Sequence, residues 1–165
     1  MRKAILTKQK DCQRFTIPTE NDWEPLAEYL ASRLKPGDAV ALSGPLGAGK
    51  TTFVQHLARA LGVKKIPSSP TFALMRSYSI PGRRQLKRLL HVDAYRIDDE
   101  RDILALDLDD ELSDGRAALV LEWPEHVPRW IKKRASVWSL EIRGEPISRL
   151  RRPAAPGVEG RKGGP

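Results

Sequence analysis

The sequence predicts a three-layer α/β fold with a mostly parallel central sheet and antiparallel additions. Three observations carry this reading. A short apolar run, Ala39–Leu42, enters the stretch Gly44-Pro45-Leu46-Gly47-Ala48-Gly49-Lys50-Thr51, and an amphipathic helical pattern follows at once. Ala117–Leu121 is an unbroken apolar run of five, the mark of a strand buried on both faces. Thr71–Ile80 and Gln85–Asp93 read as two strands joined by a Pro81-Gly82 turn, which makes an antiparallel hairpin.

Residues 44–51 have the form G-x-x-x-x-G-K-[ST], the P-loop, so the fold expected is P-loop NTPase-like. Each residue type has a reason. Glycines at 44, 47 and 49 allow backbone angles that a side chain would forbid. The loop N–H groups then form an anion-binding nest, reinforced by the N-terminal dipole of the following helix. Lys50 is expected to reach the β- and γ-phosphates, and the Thr51 hydroxyl to bind Mg²⁺.

At 165 residues the chain is expected to form one domain, 1–152, followed by a disordered basic tail, 153–165. Hydrophobic content of 40% and charged content of 30% fit a soluble protein, and no apolar run is long enough to span a membrane. The start, MRKAILTKQKDC, lacks the apolar core of a signal peptide, so a cytoplasmic location is expected. The single Cys12 excludes an internal disulfide, and one Cys with three scattered His does not make a zinc site. The net charge of +8 is uneven: residues 143–165 carry +4, whereas 98–114 hold nine acidic residues against one basic. Such a surface suits RNA or a charged protein partner, and equally a plain solvated surface.

In chain order, Gln13–Ile17 is expected as a short edge strand. Thr19 reads as an N-cap with Asp22 in a capping-box arrangement. Trp23, Leu26, Ala27, Leu30 and Leu34 give a helix to about Lys35, with Pro25 in its first turn and Pro36-Gly37 as its stop. Asp38–Ser43 is the P-loop strand, and Thr52–Leu61 the P-loop helix, ended by Gly62. Residues 66–70 are a loop framed by two prolines. Asp99–Leu112 reads as an acidic helix, Val127–Trp130 as the start of a short one. Ser136–Arg143 alternates, with Trp138, Leu140 and Ile142 on one face. A turn at 144–146 is expected to lead into a last strand, Ile147–Leu150.

A phosphate loop still needs carboxylates for a metal, and ligand groups collect at the carboxyl ends of parallel strands. Asp93 and Glu122 close two such strands, and either suits the Walker-B role. Ser68-Ser69-Pro70-Thr71 is placed where a switch-like segment senses a γ-phosphate; the plain alternative is an ordinary turn. Arg96 suits charge neutralisation or a bare surface, Trp123 a nucleotide, a partner or the core. His91 reads as structural.

Four segments taken together, LSGPLGAGKTT, SSPTF, HVDAYR and LEWPE, resemble the TsaE family (formerly YjeE), bacterial ATPases of tRNA threonylcarbamoyladenosine (t⁶A) biosynthesis. The resemblance covers about residues 13–150. It implies ATP and Mg²⁺. It implies that Gly47, Ala48, Gly49, Lys50, Thr51 and Thr52 hold phosphates, with Trp123 beside them. Thr51, Asp93 and Glu122 would serve the metal; Lys50, Asp93, Glu122 and Thr71 would carry catalysis. The implied partners are the TsaD and TsaB proteins, with tRNA met through their complex. The family commonly has an acid at the second P-loop position, where this chain has Pro45. Two other classes fit a P-loop: a small-molecule kinase and a non-catalytic nucleotide-gated module. The first needs an arginine-rich lid, and the stretch where one would lie is acidic.

Overall fold

The computed structural model describes residues 1–9, 11–68, 70 and 74–144. Among the described residues seven strands form one sheet: β1 (Arg2–Lys8), β2 (Asp11–Ile17), β3 (Ala39–Ser43), β4 (Met75–Ser79), β5 (Arg88–Asp93), β6 (Ala117–Glu122) and β7 (Val137–Arg143). Their order is β2-β1-β7-β3-β6-β5-β4. The four inner strands β7, β3, β6 and β5 are parallel. Antiparallel strands extend both sides, β4 on β5 and the β1–β2 hairpin on β7. The apolar runs explain the order. Every residue of β6 is buried and β3 is buried from Ala39 to Leu42, so both need cover on two faces. The polar strands β2 and β4 take the edges, where few residues are buried.

Among the described residues four α-helices cover the sheet: α1 (Trp23–Ala31), α2 (Lys50–Ala60), α3 (Leu108–Ser113) and α4 (Pro128–Lys132). On one face, Trp23, Leu26 and Leu30 of α1 and Phe53, Val54 and Leu57 of α2 pack with Leu6, Val40, Val120 and Leu140. On the other, Ile103, Leu108, Leu112 and Trp130 cover Leu90, Val92, Leu119 and Leu121. These are the three layers expected. Among the described residues no helix is long and apolar enough to cross a membrane.

Several local expectations are corrected. Strand β1 was not foreseen: Arg2, Ala4 and Leu6 are buried while Lys3 is exposed, but the charge of RKAILTK hides that alternation. Its hairpin closes with Lys8 opposite Asp11, and Gln9 takes φ 55, a left-handed angle suited to a tight turn. Asp22, not Thr19, is the N-cap residue of α1; its carboxylate accepts from the Thr19 N–H and hydroxyl at 2.7 and 2.6 Å. Helix α1 ends at Ala31, its exit tightened by a bond from the Arg33 N–H to the Leu30 carbonyl. Helix α2 begins at Lys50, directly on the loop. The acidic stretch is no single helix. A 3₁₀ segment, Glu100–Leu106, breaks at Asp107 with φ 48 before α3. The break lets Ile103 and Leu108 both enter the core, leaving Leu104 60% exposed, whereas one α-helix would turn them to different sides. The expected strand 147–150 and the tail lie outside the described residues, as do the first three residues of the expected strand Thr71–Ile80.

Asp38 ties the layers at the entrance of β3. Its buried carboxylate accepts from Lys8 Nζ at 3.0 Å, the Lys35 N–H at 3.0 Å, Trp138 Nε1 at 3.2 Å and the Ser136 hydroxyl.

Candidate functional site

Parallel register brings the two predicted carboxylates side by side. Asp93 of β5 lies opposite Glu122 of β6, and Glu122 lies opposite Leu42 of β3. Both acids therefore stand at carboxyl ends of strands, next to the point where β3 gives way to the phosphate loop. The loop is pressed tightly into place. Gly44 has φ +145, and a Cβ there would sit 2.7 Å from the Ile142 carbonyl oxygen of β7. Gly49 is the N-cap of α2 at φ +99, and a Cβ there would meet Arg2 Nη1 at 2.8 Å and Trp23 at 3.3 Å. Only glycine fits either position.

Behind the loop is a cleft of ≈ 630 Å³. Gly47, Ala48, Gly49, Lys50, Thr51 and Thr52 line one side; Asp93, Glu122 and Trp123 line the other. Every expected site residue but one is thus gathered in one place. The exception, Thr71, lies outside the described residues. Arg96 also reaches the cleft.

Charges inside the cleft are tightly held. Lys50 Nζ donates to the carbonyls of Gly44 at 2.8 Å and Pro45 at 3.1 Å, and stands 3.7 Å from the centre of the Trp123 ring. Burial pushes the Lys50 ammonium below its ordinary pKa, against the opposing pull of Glu122, Glu125 and Asp93. A phosphate would compensate that buried charge. Glu122 is 2% exposed and bonded on two sides. The Thr51 hydroxyl lies 3.0 Å from Oε1 and 3.3 Å from Oε2, and His91 Nε2 lies 2.9 Å from Oε1. His91, expected to be merely structural, is the partner that orients this carboxylate from within the sheet.

Three groups in or beside the cleft were missed by the sequence reading. Tyr95 and His126 flank Trp123, with ring centres 4.9 and 6.0 Å away, and form an aromatic lip. Trp123 itself takes φ 59, an uncommon angle for an aromatic residue, which turns its ring over Lys50. Arg2 reaches the loop from β1 and donates from Nη2 to the Gly47 carbonyl at 3.2 Å. No sequence pattern marks Arg2; only the hairpin places it.

Among the described residues no cluster of three His, Cys, Asp or Glu side chains is built to hold a metal. The donors present are a hydroxyl and two carboxylates, all hard oxygens. That set fits Mg²⁺, which takes one or two carboxylates and completes its shell with phosphate and water.

A parallel sheet, a glycine loop opening a helix, and acids on adjacent strand ends define a P-loop NTPase-like α/β protein. The family model described as "Threonylcarbamoyl adenosine biosynthesis protein TsaE" matches residues 17–152. A Mycobacterium tuberculosis protein named tRNA threonylcarbamoyladenosine biosynthesis protein TsaE is 39% identical over 139 residues, covering 81% of this chain and 79% of its own. A Bacillus subtilis protein of the same name is 40% identical over 98 residues, 59% of this chain and 58% of that one. The crystal structure of YdiB from B. subtilis aligns with TM-score 0.53 and 29% identity over 78% of this chain and 70% of its own. The chain belongs to the TsaE family.

Proposed function

We propose that this chain binds and hydrolyses ATP with Mg²⁺ as an accessory protein of t⁶A formation at adenosine 37 of tRNA, working in the cytoplasm with the TsaD and TsaB proteins. The pathway comes from family membership. The chemistry rests on one observation: the P-loop hydroxyl of Thr51 already touches the strand-end carboxylate of Glu122, with Asp93 on the neighbouring strand.

The loop N–H groups and the N-terminus of α2 bind the phosphates, and Lys50 adds a point charge. Thr51 with Glu122 or Asp93 would hold Mg²⁺, which when bound would neutralise charge on the phosphate oxygens. The remaining carboxylate would orient the attacking water, and Arg96, which lines the cleft, would offset the negative charge that develops on the phosphate oxygens. His91 keeps Glu122 aimed at the cleft. Hydrolysis of a γ-phosphate needs a fully assembled electrostatic cage, so slow turnover by the chain alone and a rise with partners are expected. The kinase alternative gains no support, since the only arginine of the acidic stretch, Arg101, is paired with Asp99.

The test is ATP turnover by the purified protein, alone and with matching TsaD and TsaB, using Lys50→Ala as the blank. Slow turnover that rises sharply with the partners supports the reading. Turnover indifferent to them overturns the partner role and directs attention to small phosphoryl acceptors.

A further inference from the structure

Arg2 is the cationic cleft residue that lies outside the family-matched segment. It sits on β1, ahead of residues 17–152. Its residue is only 5% exposed, yet it makes no ion pair among the described residues. Its hydrogen bond to the loop runs from Nη2 to the Gly47 carbonyl, and among the described residues Nε is buried without a hydrogen-bond partner. Nη1 fills the space where a Cβ of Gly49 would lie. Burial lowers its pKa, opposed by Glu20, which lines the same cleft.

A desolvated guanidinium with a lone carbonyl partner is costly. Its cost falls once an anion enters beside it. The same cleft carries the loop N–H groups, the start of the eleven-residue helix α2, and Lys50, all favouring negative charge. Five N–H donors in a rigid fork suit phosphate oxygens better than a point charge does. We propose that Arg2 contacts the phosphates of the bound nucleotide, so that strand β1 contributes directly to the nucleotide site. This rests on the reading of the cleft as a nucleotide site. A corollary is that nucleotide binding and docking of the β1–β2 hairpin strengthen each other.

The test is calorimetric titration of ADP, without partner proteins, into wild type, Arg2→Gln, Arg2→Lys and Lys50→Ala, with the thermal midpoint of each nucleotide-free protein measured alongside. Expected is a loss of about tenfold to hundredfold in ADP affinity for Arg2→Gln, with partial recovery in Arg2→Lys. ADP should also raise the thermal midpoint less in Arg2→Gln than in wild type. Unchanged ADP affinity in Arg2→Gln overturns the proposal. So does a loss of affinity that Arg2→Lys fails to restore while nucleotide-free midpoints fall in parallel, since that marks a brace for the loop only. Wild type binding ADP no better than Lys50→Ala would overturn the nucleotide reading itself, and this proposal with it.

Discussion

The Thr51 hydroxyl stands 3.0 Å from Glu122 Oε1, joining the first turn of α2 to the end of β6 across 71 positions of sequence. The hydroxyl and the carboxylate expected to serve Mg²⁺ are therefore in direct contact. Glu122 to Gln keeps the size of the side chain and an oxygen for Thr51, but removes the charge. Its Mg²⁺-dependent turnover should fall by about 10²–10³-fold while the thermal midpoint stays near wild type. Glu122→Ala is a poorer probe, because it strips His91 and Thr51 of their partner and costs about 1–3 kcal/mol of stability. Steady-state ATPase assays with a magnesium titration decide it; unchanged turnover in Glu122→Gln would sink the assigned role.

His91 acts through Glu122 rather than on substrate, being fully buried with Nε2 2.9 Å from Oε1. His91→Phe should raise the Mg²⁺ concentration needed for half-maximal turnover several-fold, as loss of an orienting partner does at metal sites. His91→Gln, which can still donate to the carboxylate, should recover much of that loss. A purely structural histidine would shift the thermal midpoint in both variants and leave the Mg²⁺ dependence alone.

These two pairs mark how far the sequence carries. Asp93 and Glu122 were readable because each ends an apolar run, and parallel strands put such ends together at one rim. The loop was readable because its glycines are spaced by phosphate chemistry. His91 was not, since a histidine inside LLHVD looks like any core residue until its neighbour strand is known. Arg2 was invisible for a related reason. Strand β1 wedges between β2 and β7, and long-range pairing of a lysine-rich segment leaves no local signature. Asp107 was missed because apolar spacing through Leu104 and Leu108 imitates one continuous helix, while the core selects Ile103 instead.

Lys50 is the cation nearest the loop carbonyls and the Trp123 face, and burial already disfavours its charge. Lys50→Ala should abolish measurable hydrolysis and weaken ATP binding by at least about tenfold, since a charged contact to phosphate is lost. Folding should survive, because Ala is a good helix former in the first turn of α2. Titration of ATP into the variant, with circular dichroism to verify the fold, checks both halves. Full retention of ATP affinity would contradict the placement of phosphate beside Lys50.

Asp38 gives a prediction about acid stability that is independent of the site. Burial raises the pKa of its carboxyl, but bonds from Ser136, the Lys35 N–H, Lys8 and Trp138 together outweigh it and hold the group below its ordinary value. A depressed folded pKa means that the unfolded chain binds the proton more readily. The stabilisation is therefore fully present above the unfolded value of about 4 and is lost as pH falls through the lower folded value. Asp38→Asn should cost about 1.5–3 kcal/mol at neutral pH, the scale of hydrogen bonds to a charged group. The gap between wild type and variant should stay constant down to about pH 5 and then narrow as pH drops below about 4. Acids such as Asp22 and Asp114, whose pKa values are also lowered, titrate alike in both proteins and cancel in the difference. Urea unfolding followed by far-UV circular dichroism across this range measures the gap directly. A gap that widens in acid would mean that Asp38 is buried in its protonated form, against the lowered value that its hydrogen bonds impose.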